Sequence, residues 1–398
     1  MMSKNNIDCH DFVKKLSFPR LAGSIGEKQA QNLIETELNS LNIHFSKEKF
    51  EYTKFFMNIL LKIYNLFLGF QIIAILILLY FGYYYLASII AVFLLLTSAF
   101  SRQIREKIQF KFTKIGKKRK SINYVINMPA KQKNKNETKN VIILAHYDSI
   151  SMKFHPVFDG AIFFFGLVGG CIFAIHILLI VFFHVVKIIS SIEIIQFIYG
   201  IILAIFYSLQ VFNKRDNKSF GTADNATAVA SAIDILDYFN ENPLKCTNLF
   251  VVLTGAEEMG DYGADSFIKK HHDEFDKKNS FFLILDTVGA NKETNLYAHG
   301  QGFPKSHYSP VIYHQIQELL ESSKADYKIK PLYIPPLIHF STDHAPLKQF
   351  GYEFMIFLSN ARIHSDKDNI ENYFPKMLDN FNTFIKDLIL HMDKFPQN

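Results

Sequence analysis

Three apolar blocks constrain the fold of this chain more than any other feature. Residues 55–100 carry one charged side chain, Lys62, and residues 160–186 and 194–212 carry none. A bilayer core about 30 Å thick requires ~20 consecutive apolar residues for each helix that crosses it. The first block is long enough for two spans and each of the others for one. The sequence therefore predicts four transmembrane helices arranged as two hairpins.

Two other interpretations of these blocks are weaker. Buried core helices of a large soluble protein are usually amphipathic, whereas residues 72–79 and 177–183 are apolar on every face. A transporter would be expected to carry charged residues near the membrane midplane and pairs of interrupted helices, which these spans lack. The blocks are therefore interpreted as a membrane anchor.

The positive charge of the chain is concentrated beside these blocks. The net charge is +6, and residues 101–120 hold nine lysines and arginines against one acid, Glu106. A basic segment directly after a span fits the positive-inside rule and attraction to anionic headgroups rather than nucleic-acid binding. The far loop at residues 80–85 is uncharged and aromatic. We predict a multi-pass cell-membrane protein with the lipid bilayer as a partner, no nucleic-acid partner, and its polar sequence in the cytoplasm.

Outside the two hairpins, at residues 55–100 and 160–213, the sequence predicts one α/β domain in three pieces. These pieces are residues 1–54, 101–159 and 214–398. Strand patterns alternate with helix patterns, which predicts a mixed, mostly parallel sheet with helices on both faces. The predicted strands are residues 122–127, 141–145, 248–254, 281–285 and 353–358, and the predicted helices are residues 27–41, 227–239, 311–320 and 375–392.

Acidic residues or histidine follow three of the predicted strands, those at residues 141–145, 248–254 and 281–285. In open α/β sheets, ligands bind at the carboxyl ends of the strands, so these side chains are expected to converge. With two further motifs, the candidate site residues are His146, Asp148, Asp224, Glu257, Glu258, Asp286 and His364. Two imidazoles and several carboxylates are the inventory of a hydrolase site with two metal ions.

Five of these residues can hold the metal ions. Asp224 can bridge both ions, since a carboxylate has two oxygens. His146 and Asp286 can complete the coordination of one ion, and Glu258 and His364 that of the other. Imidazole and carboxylate ligands suit two zinc ions, although cobalt or manganese would also fit.

The two remaining candidates have catalytic roles in this interpretation. Asp148 can accept the free ring N–H of His146, which would orient the ring and raise its basicity. Glu257 would take a proton from the metal-activated water and pass it to the leaving amine. Together they complete a site for peptide hydrolysis.

Each candidate also has a structural interpretation when it is considered alone. Asp224, for example, could cap a helix. His339 and His344 compete with His364 as the last metal ligand. Polar side chains in a helix bundle are the simpler interpretation of two histidines in the third span, His176 and His184. The joint occurrence of the motifs at strand ends favours the metal site.

The motifs as a set resemble the co-catalytic zinc exopeptidases of metallopeptidase family twenty-eight. This family includes bacterial leucyl aminopeptidases and, more distantly, glutaminyl cyclase. The matching stretches cover nearly all the polar sequence and are residues 18–24, 145–149, 224–226, 254–263, 285–289, 341–344 and 363–366. The resemblance implies the zinc exopeptidase fold and the same ligand, bridging and general-base roles.

The activity that the resemblance implies is a membrane-anchored aminopeptidase that removes N-terminal residues from a peptide substrate. A carboxypeptidase or dipeptidase of the family, a glutaminyl cyclase-like acyltransferase and a catalytically silent, receptor-like homologue remain alternatives. In soluble members the stretch between the two motifs is short, whereas a membrane hairpin separates Asp148 from Asp224 here. The sequence leaves the oligomeric state and the side-chain preference open.

Overall fold

The computed structural model describes residues 8–109, 115–132, 138–154, 156–187, 194–302, 305–335 and 340–394. The chain divides into two units. The first unit consists of Met1–Tyr52, Lys118–Ser151 and Asp216–Asn398, and the second consists of Thr53–Lys117 and Met152–Arg215.

A nine-stranded sheet forms the centre of the first unit. Its order is β1-β2-β6-β3-β7-β11-β8-β10, with β9 paired to β8. The strands of the described residues are β1 (Ser46–Tyr52), β2 (Arg119–Met128), β3 (Lys139–His146), β4 (Ser151–Met152), β5 (Arg215–Asp216), β6 (Thr247–Thr254), β7 (Ser280–Leu285), β8 (Asn295–Gln301), β9 (Ser306–His307), β10 (Ile329–Ile334) and β11 (Glu353–Leu358).

The four central strands, β6, β3, β7 and β11, are all parallel. Strands β2 and β8 run antiparallel to the central strands beside them. The apolar run in β3 is typical of a parallel strand that is buried on both faces. Because the four central strands run in one direction, their carboxyl ends lie at the same edge of the sheet.

The helices of the described residues surround this sheet or lie in the second unit. They are α1 (Cys9–Leu16), α2 (Ile25–Ser40), α3 (Leu61–Tyr80), α4 (Tyr84–Ala99), α5 (Ser101–Gln109), α6 (Pro156–Val185), α7 (Ile194–Leu209), α8 (Thr227–Glu241), α9 (Tyr262–His271), α10 (Pro310–Ser322), α11 (His344–Phe350) and α12 (Pro375–Lys394). Short helical turns lie at Phe56–Leu60, Gln210–Phe212, Thr222–Ala226 and Ile370–Asn372.

Alternate residues of β3 face two separate cores. Val141, Ile143 and Ala145 belong to a core that includes residues of α1, α2, α8, α10 and α12. Ile142 and Leu144 belong to a second core with residues of α9 and α11. This alternation follows from the two-residue period of a strand. The predicted mixed, mostly parallel sheet with helices on both faces is therefore confirmed.

The second unit contains the apolar helices. Helix α3 packs against α4 and α7, and α6 packs against the same two helices. Within the described residues, three helices are long and apolar enough to cross a membrane, namely Phe56–Tyr80, Phe164–Val185 and Ile194–Phe212. A fourth is present if Tyr84–Ala99 and Gln103–Gln109, which are bent by 74° at a short break, form one span. The structure thus agrees with three of the four predicted spans, and the fourth depends on this bent pair.

Apolar side chains also cover the outer surface of these helices. Phe70 and Ile89 are 69% and 65% exposed. Inside the bundle, the Tyr207 hydroxyl donates a hydrogen bond to the Gly166 carbonyl at 2.7 Å, which satisfies a buried polar group. An apolar exterior around a packed interior is typical of helices that contact lipid.

Candidate metal centre

All seven predicted site residues lie at the carboxyl edge of the central strands. His146 is the last residue of β3, and Asp286 directly follows β7. Glu257 and Glu258 lie in the loop between β6 and α9, Asp224 lies in the turn before α8, and His364 follows β11. His364 has 20% of its side chain exposed, and the other six residues are buried.

Two groups of three side chains are arranged as metal ligands. The first group is His146, Asp224 and Asp286, and the second is Asp224, Glu258 and His364. In each group the ligand atoms lie within 4.8 Å of one another. Asp224 belongs to both groups, as the bridging role requires.

The two oxygens of Asp224 face different histidines. Oδ1 lies 3.2 Å from Nε2 of His146, and Oδ2 lies 3.1 Å from Nε2 of His364. Nε2 of His364 also lies 3.3 Å from Oε2 of Glu258. One carboxylate therefore stands between two imidazoles and can serve one ion with each oxygen.

The charges of the buried side chains fit divalent cations. Burial, together with the charge of Asp224, raises the pKa of Glu258 to about 7 and that of Asp286 to about 6. Burial also opposes ionisation of Asp224, but hydrogen bonds from both histidines hold the pKa of Asp224 below its usual value. Oε1 of Glu258 is buried and has no hydrogen-bond partner among the described residues. Buried carboxylates in such a cluster require compensating positive charge, and this donor set suits zinc.

The carboxylate of Asp148 has different partners from those expected from the sequence. Nδ1 of His146 lies 3.2 Å from the backbone carbonyl of Asp148 and 3.8 Å from its carboxylate, which is beyond hydrogen-bond distance. The carboxylate instead accepts the backbone N–H groups of Glu257 at 3.0 Å and Glu258 at 3.3 Å. Asp148 therefore orients the His146 ring through its carbonyl and holds the glutamate pair through its side chain.

Glu257 lies beside the ligands but belongs to neither ligand group. Its Oε2 is 3.9 Å from Nε2 of His146. Burial and the neighbouring charges of Asp261 and Glu258 raise the pKa of Glu257 well above its usual value. A carboxyl group whose affinity for a proton is raised can act as a general base near neutral pH.

Several site segments adopt left-handed backbone conformations that favour glycine. Ala256, Asp261, Thr287 and His364 have φ values of 55°, 56°, 58° and 57°. The peptide bond between Asp224 and its neighbour is cis. Strained backbone of the left-handed kind is typical of functional sites. Ala256 and Asp261 lie close to the glutamate pair in the sequence, and Thr287 follows Asp286. His364 itself belongs to a ligand group.

Asn225 fixes the bridging segment to the end of β7. Its side-chain amide donates to the Leu285 carbonyl at 2.9 Å, and its oxygen accepts the Thr287 N–H at 3.1 Å. Asn225 thus ties Asp224 to Asp286 through their sequence neighbours. From the sequence alone, Asn225 could be a helix cap beside Asp224, and its position in the stretch 224–226 does not reveal these contacts.

Among the described residues, the competing histidine His344 lies outside the two ligand groups. His344 is buried among Phe340, Tyr308 and Phe354, and burial lowers the pKa of His344 to about 3. His339 lies outside the described residues. In α6, the centre of the His184 ring lies 4.4 Å from that of Tyr84, with the two ring planes tilted by 48°. Nε2 of His176 lies 3.5 Å from the Gln196 amide nitrogen. Neither histidine joins a ligand group in the described chain.

Substitution Gly221→Ala should destabilise the turn that carries Asp224. Gly221 has a φ of 59°, and an added Cβ would lie 2.4 Å from Cβ of Ser149 and 2.8 Å from the Asp224 carbonyl oxygen. Left-handed strain and overpacking together should lower the free energy of unfolding by about 2–5 kcal/mol. Denaturant unfolding of the purified chain measures this change.

The matched control is Gly351→Ala. Gly351 has a φ of 74°, but an added Cβ would have only the Lys277 Nζ within 4 Å, at 3.8 Å. This variant should lose only about 1–2 kcal/mol, the cost of left-handed backbone alone. Equal losses in the two variants would mean that the close contacts of Gly221 are unimportant.

Solved structures similar to the whole chain are peptidases and cyclases. The aminopeptidase from Aneurinibacillus sp. strain AM-1 matches with a TM-score of 0.54 and 13% identity, covering 97% of this chain and 93% of that one. BSAP, a zinc aminopeptidase from Bacillus subtilis, matches at 0.53 and 12%, covering 96% and 94%. The glutaminyl cyclase from an Acidobacteriales bacterium matches at 0.53 and 12%, covering 97% and 92%. These similarities establish the fold.

Sequence comparisons also find similarity to peptidases. Residues 207–389 match the model of peptidase family M28, the family that the sequence motifs resemble. Proteins named vacuolar membrane protease from Meyerozyma guilliermondii and Candida dubliniensis are 28% identical over 167 residues and 26% identical over 163 residues. Each match covers 40% of this chain and 16% of the relative's length. Together with the apolar helices, these relatives identify a membrane protein.

Proposed function

We propose that this protein is a membrane-anchored aminopeptidase with two zinc ions, which hydrolyses N-terminal residues from peptides. The observation that carries the proposal is that two ligand groups share the carboxylate of Asp224. The apolar hairpins at residues 55–100 and 160–213 are its anchor, and the three polar pieces form its peptidase domain.

The ligand roles follow from the two groups. His146 and Asp286 hold one ion, Glu258 and His364 hold the other, and Asp224 bridges them. Zinc supplies Lewis acidity, which polarises the substrate carbonyl and lowers the pKa of water. The buried, oriented carboxylates and imidazoles hold their geometry before substrate binds.

Glu257 carries the proton during the reaction. Its Oε2 takes a proton from the attacking water as the new C–O bond forms, and it returns that proton to the leaving nitrogen as the C–N bond breaks. Asp148 supports this step because its carboxylate holds the backbone of Glu257 at 3.0 Å. Bulk water has little access to Glu257, since only 9% of its side chain is exposed.

Two buried acids support recognition of a free amine. The Asp343 carboxylate accepts a hydrogen bond from the Thr254 hydroxyl at 2.5 Å. Its other oxygen is buried and has no hydrogen-bond partner in the described part of the chain. Asp261 accepts from the Ser341 hydroxyl at 2.8 Å. Burial raises the pKa of Glu257, and the charges of both carboxylates add to this effect. Such acids beside the reacting group are suited to bind an ammonium group at the N-terminus of a peptide.

Acetylating the N-terminus of a peptide should abolish its hydrolysis. Acetylation removes the charge and a charge-assisted hydrogen bond worth roughly 1.5–3 kcal/mol, and it adds bulk where the pocket should end. Rates for one peptide with a free or acetylated N-terminus, each also with an amidated C-terminus, test this. If amidating the C-terminus slows hydrolysis and acetylating the N-terminus does not, the protein is a carboxypeptidase instead. Release of residues that starts at the C-terminus would lead to the same conclusion.

A glutaminyl cyclase-like activity is the second candidate, because glutaminyl cyclases share the fold. A peptide that begins with glutamine distinguishes the two reactions. Hydrolysis releases free glutamine and a shortened peptide, whereas cyclisation releases ammonia and leaves the peptide at full length. We expect hydrolysis, since both ligand groups and Glu257 are present.

We also propose that the peptidase domain faces the cytoplasm from the cell membrane. The basic residues at 101–120 lie on the side of the spans that should face inward. In a cysteine-free background, an impermeant thiol reagent on intact cells should label Tyr83→Cys and not Glu321→Cys. Labelling of Glu321→Cys instead would place the domain outside. If neither variant is labelled on intact cells and both are labelled after permeabilisation, the protein lies in an internal membrane, as the name of its vacuolar relatives suggests for them.

A further inference from the structure

Arg20 is a fully buried cation in the first unit that the proposed chemistry does not use. Its Nε donates to the Tyr147 carbonyl at 2.6 Å, and its Nη2 donates to the Gly221 carbonyl at 2.6 Å. Nη1 donates to the carbonyls of Leu16 (2.9 Å), Phe18 (3.2 Å) and Phe220 (2.7 Å). All five of these acceptors are backbone oxygens, so the guanidinium joins chain segments rather than pairing directly with an acid.

The acceptors of Arg20 lie next to metal ligands in the sequence. Tyr147 separates His146 from Asp148, and Gly221 begins the turn that carries Asp224. The backbone of Arg20 is fixed as well, because its N–H donates to the Ser149 hydroxyl at 3.1 Å. Arg20 therefore links the segment of one ligand group to the segment of the bridging carboxylate.

Asp368 binds the same turn through its backbone N–H groups, whereas Arg20 binds its carbonyls. Its carboxylate accepts the N–H of Ala223 at 2.7 Å and that of Asp224 at 3.2 Å. It also accepts the Ser219 hydroxyl at 3.4 Å. Asp368 lies four residues after His364, so it ties the turn to the segment that carries the last ligand.

Arg20 and Asp368 have opposite charges and are both buried. Burial lowers the pKa of the Arg20 guanidinium, and the charge of Asp368 opposes this shift by favouring the charged form. Hydrogen bonds from such outer residues typically set ligand orientation and metal affinity.

We propose that Arg20 and Asp368 form a positioning clamp, in which Arg20 holds the carbonyls and Asp368 the N–H groups of the turn at residues 219–224. The clamp keeps Asp224 within reach of both His146 and His364, and tight binding of metal depends on it. The inference rests on the proposed metal site. Neither residue touches the substrate, so both are positioning residues.

The test is zinc affinity in Arg20→Lys, Asp368→Asn and the double variant, measured on the full chain by competition with a chromogenic chelator. Lysine has one nitrogen for five carbonyls, and asparagine has one oxygen for two N–H groups. Each single variant should bind zinc about 10–100-fold more weakly. The fold-loss of zinc affinity in the double variant should be smaller than the product of the two single fold-losses, because both residues hold one turn.

Arg119→Lys is the matched control, since Arg119 is a half-buried arginine at the start of β2. It should keep wild-type zinc affinity. Thermal unfolding of the metal-free variants separates folding from binding, because a merely structural role would lower the melting temperature and leave the zinc affinity of the folded protein unchanged. With zinc saturating, the clamp variants should also lose kcat more than they raise KM.

Wild-type zinc affinity in folded Arg20→Lys and Asp368→Asn would overturn the clamp. If Arg20→Lys fails to fold, Asp368→Asn decides, since it keeps one acceptor and the full side-chain volume. A wild-type chain that binds no zinc would instead overturn the proposed metal site, and the inference would fall with it.

Discussion

Substitution Glu257→Gln is expected to keep both metal ions and to lower turnover by about 10²–10⁴-fold, the usual contribution of a general base. Glutamine preserves the size and the backbone contacts of Glu257, including the hydrogen bond from its N–H to Asp148. It removes only the capacity to accept and return a proton. Metal analysis and kcat on the same preparation measure both effects.

The matched comparison is Glu258→Gln, one residue further along the chain. Glu258 contributes to the ligand group of His364, whereas Glu257 contributes to neither group. Glu258→Gln should therefore lose metal as well as activity. If Glu257→Gln loses metal and Glu258→Gln retains it, the roles of the two glutamates are reversed.

Substitution Asp224→Ala is expected to empty both metal positions together. Its two oxygens lie 3.2 Å and 3.1 Å from the two histidines, so one truncation removes a ligand from each group. Activity should fall to the background level because no ion remains to activate the water. Metal content by mass spectrometry, set beside activity, measures the result.

Asp286→Ala is the control for this experiment, since Asp286 belongs to one ligand group only. It should weaken one position and leave the other occupied. Two tightly bound ions in Asp224→Ala would contradict the bridging role, and so would the same partial loss in both variants.

The centre of the fold was predictable because its strands are long apolar runs. Buried parallel strands such as β3, β6 and β7 lack polar residues for most of their length, and length alone then favours strand over helix. The outer strands gave no such signal. The sequence of β1, SKEKFEY, is mostly charged, and β10 contains Pro331, which is typical of an edge strand. These strands form because neighbouring strands supply hydrogen bonds, which no local pattern records.

The candidate ligands were predictable for a related reason. A short polar motif directly after an apolar strand must lie at the edge of the sheet, and parallel strands bring such motifs together. Arg20 and Asp368 could not be assigned a role in this way. Arg20 is 201 residues from Gly221 and Asp368 is 144 residues from Asp224 in the chain, and their contacts are with backbone atoms. Asp148 was identified, but the partners of its carboxylate depend on the path of a distant loop.

The number of metal ions per wild-type chain tests the central claim most directly. The full-length protein is stripped with a chelator, titrated with zinc, and assayed for bound zinc and for release of the N-terminal residue from a peptide. Two ligand groups that share Asp224 predict two ions per chain, with full activity only when both ions are bound. A single ion at full activity would contradict the two-metal site, and full activity without any ion would contradict the metallopeptidase itself.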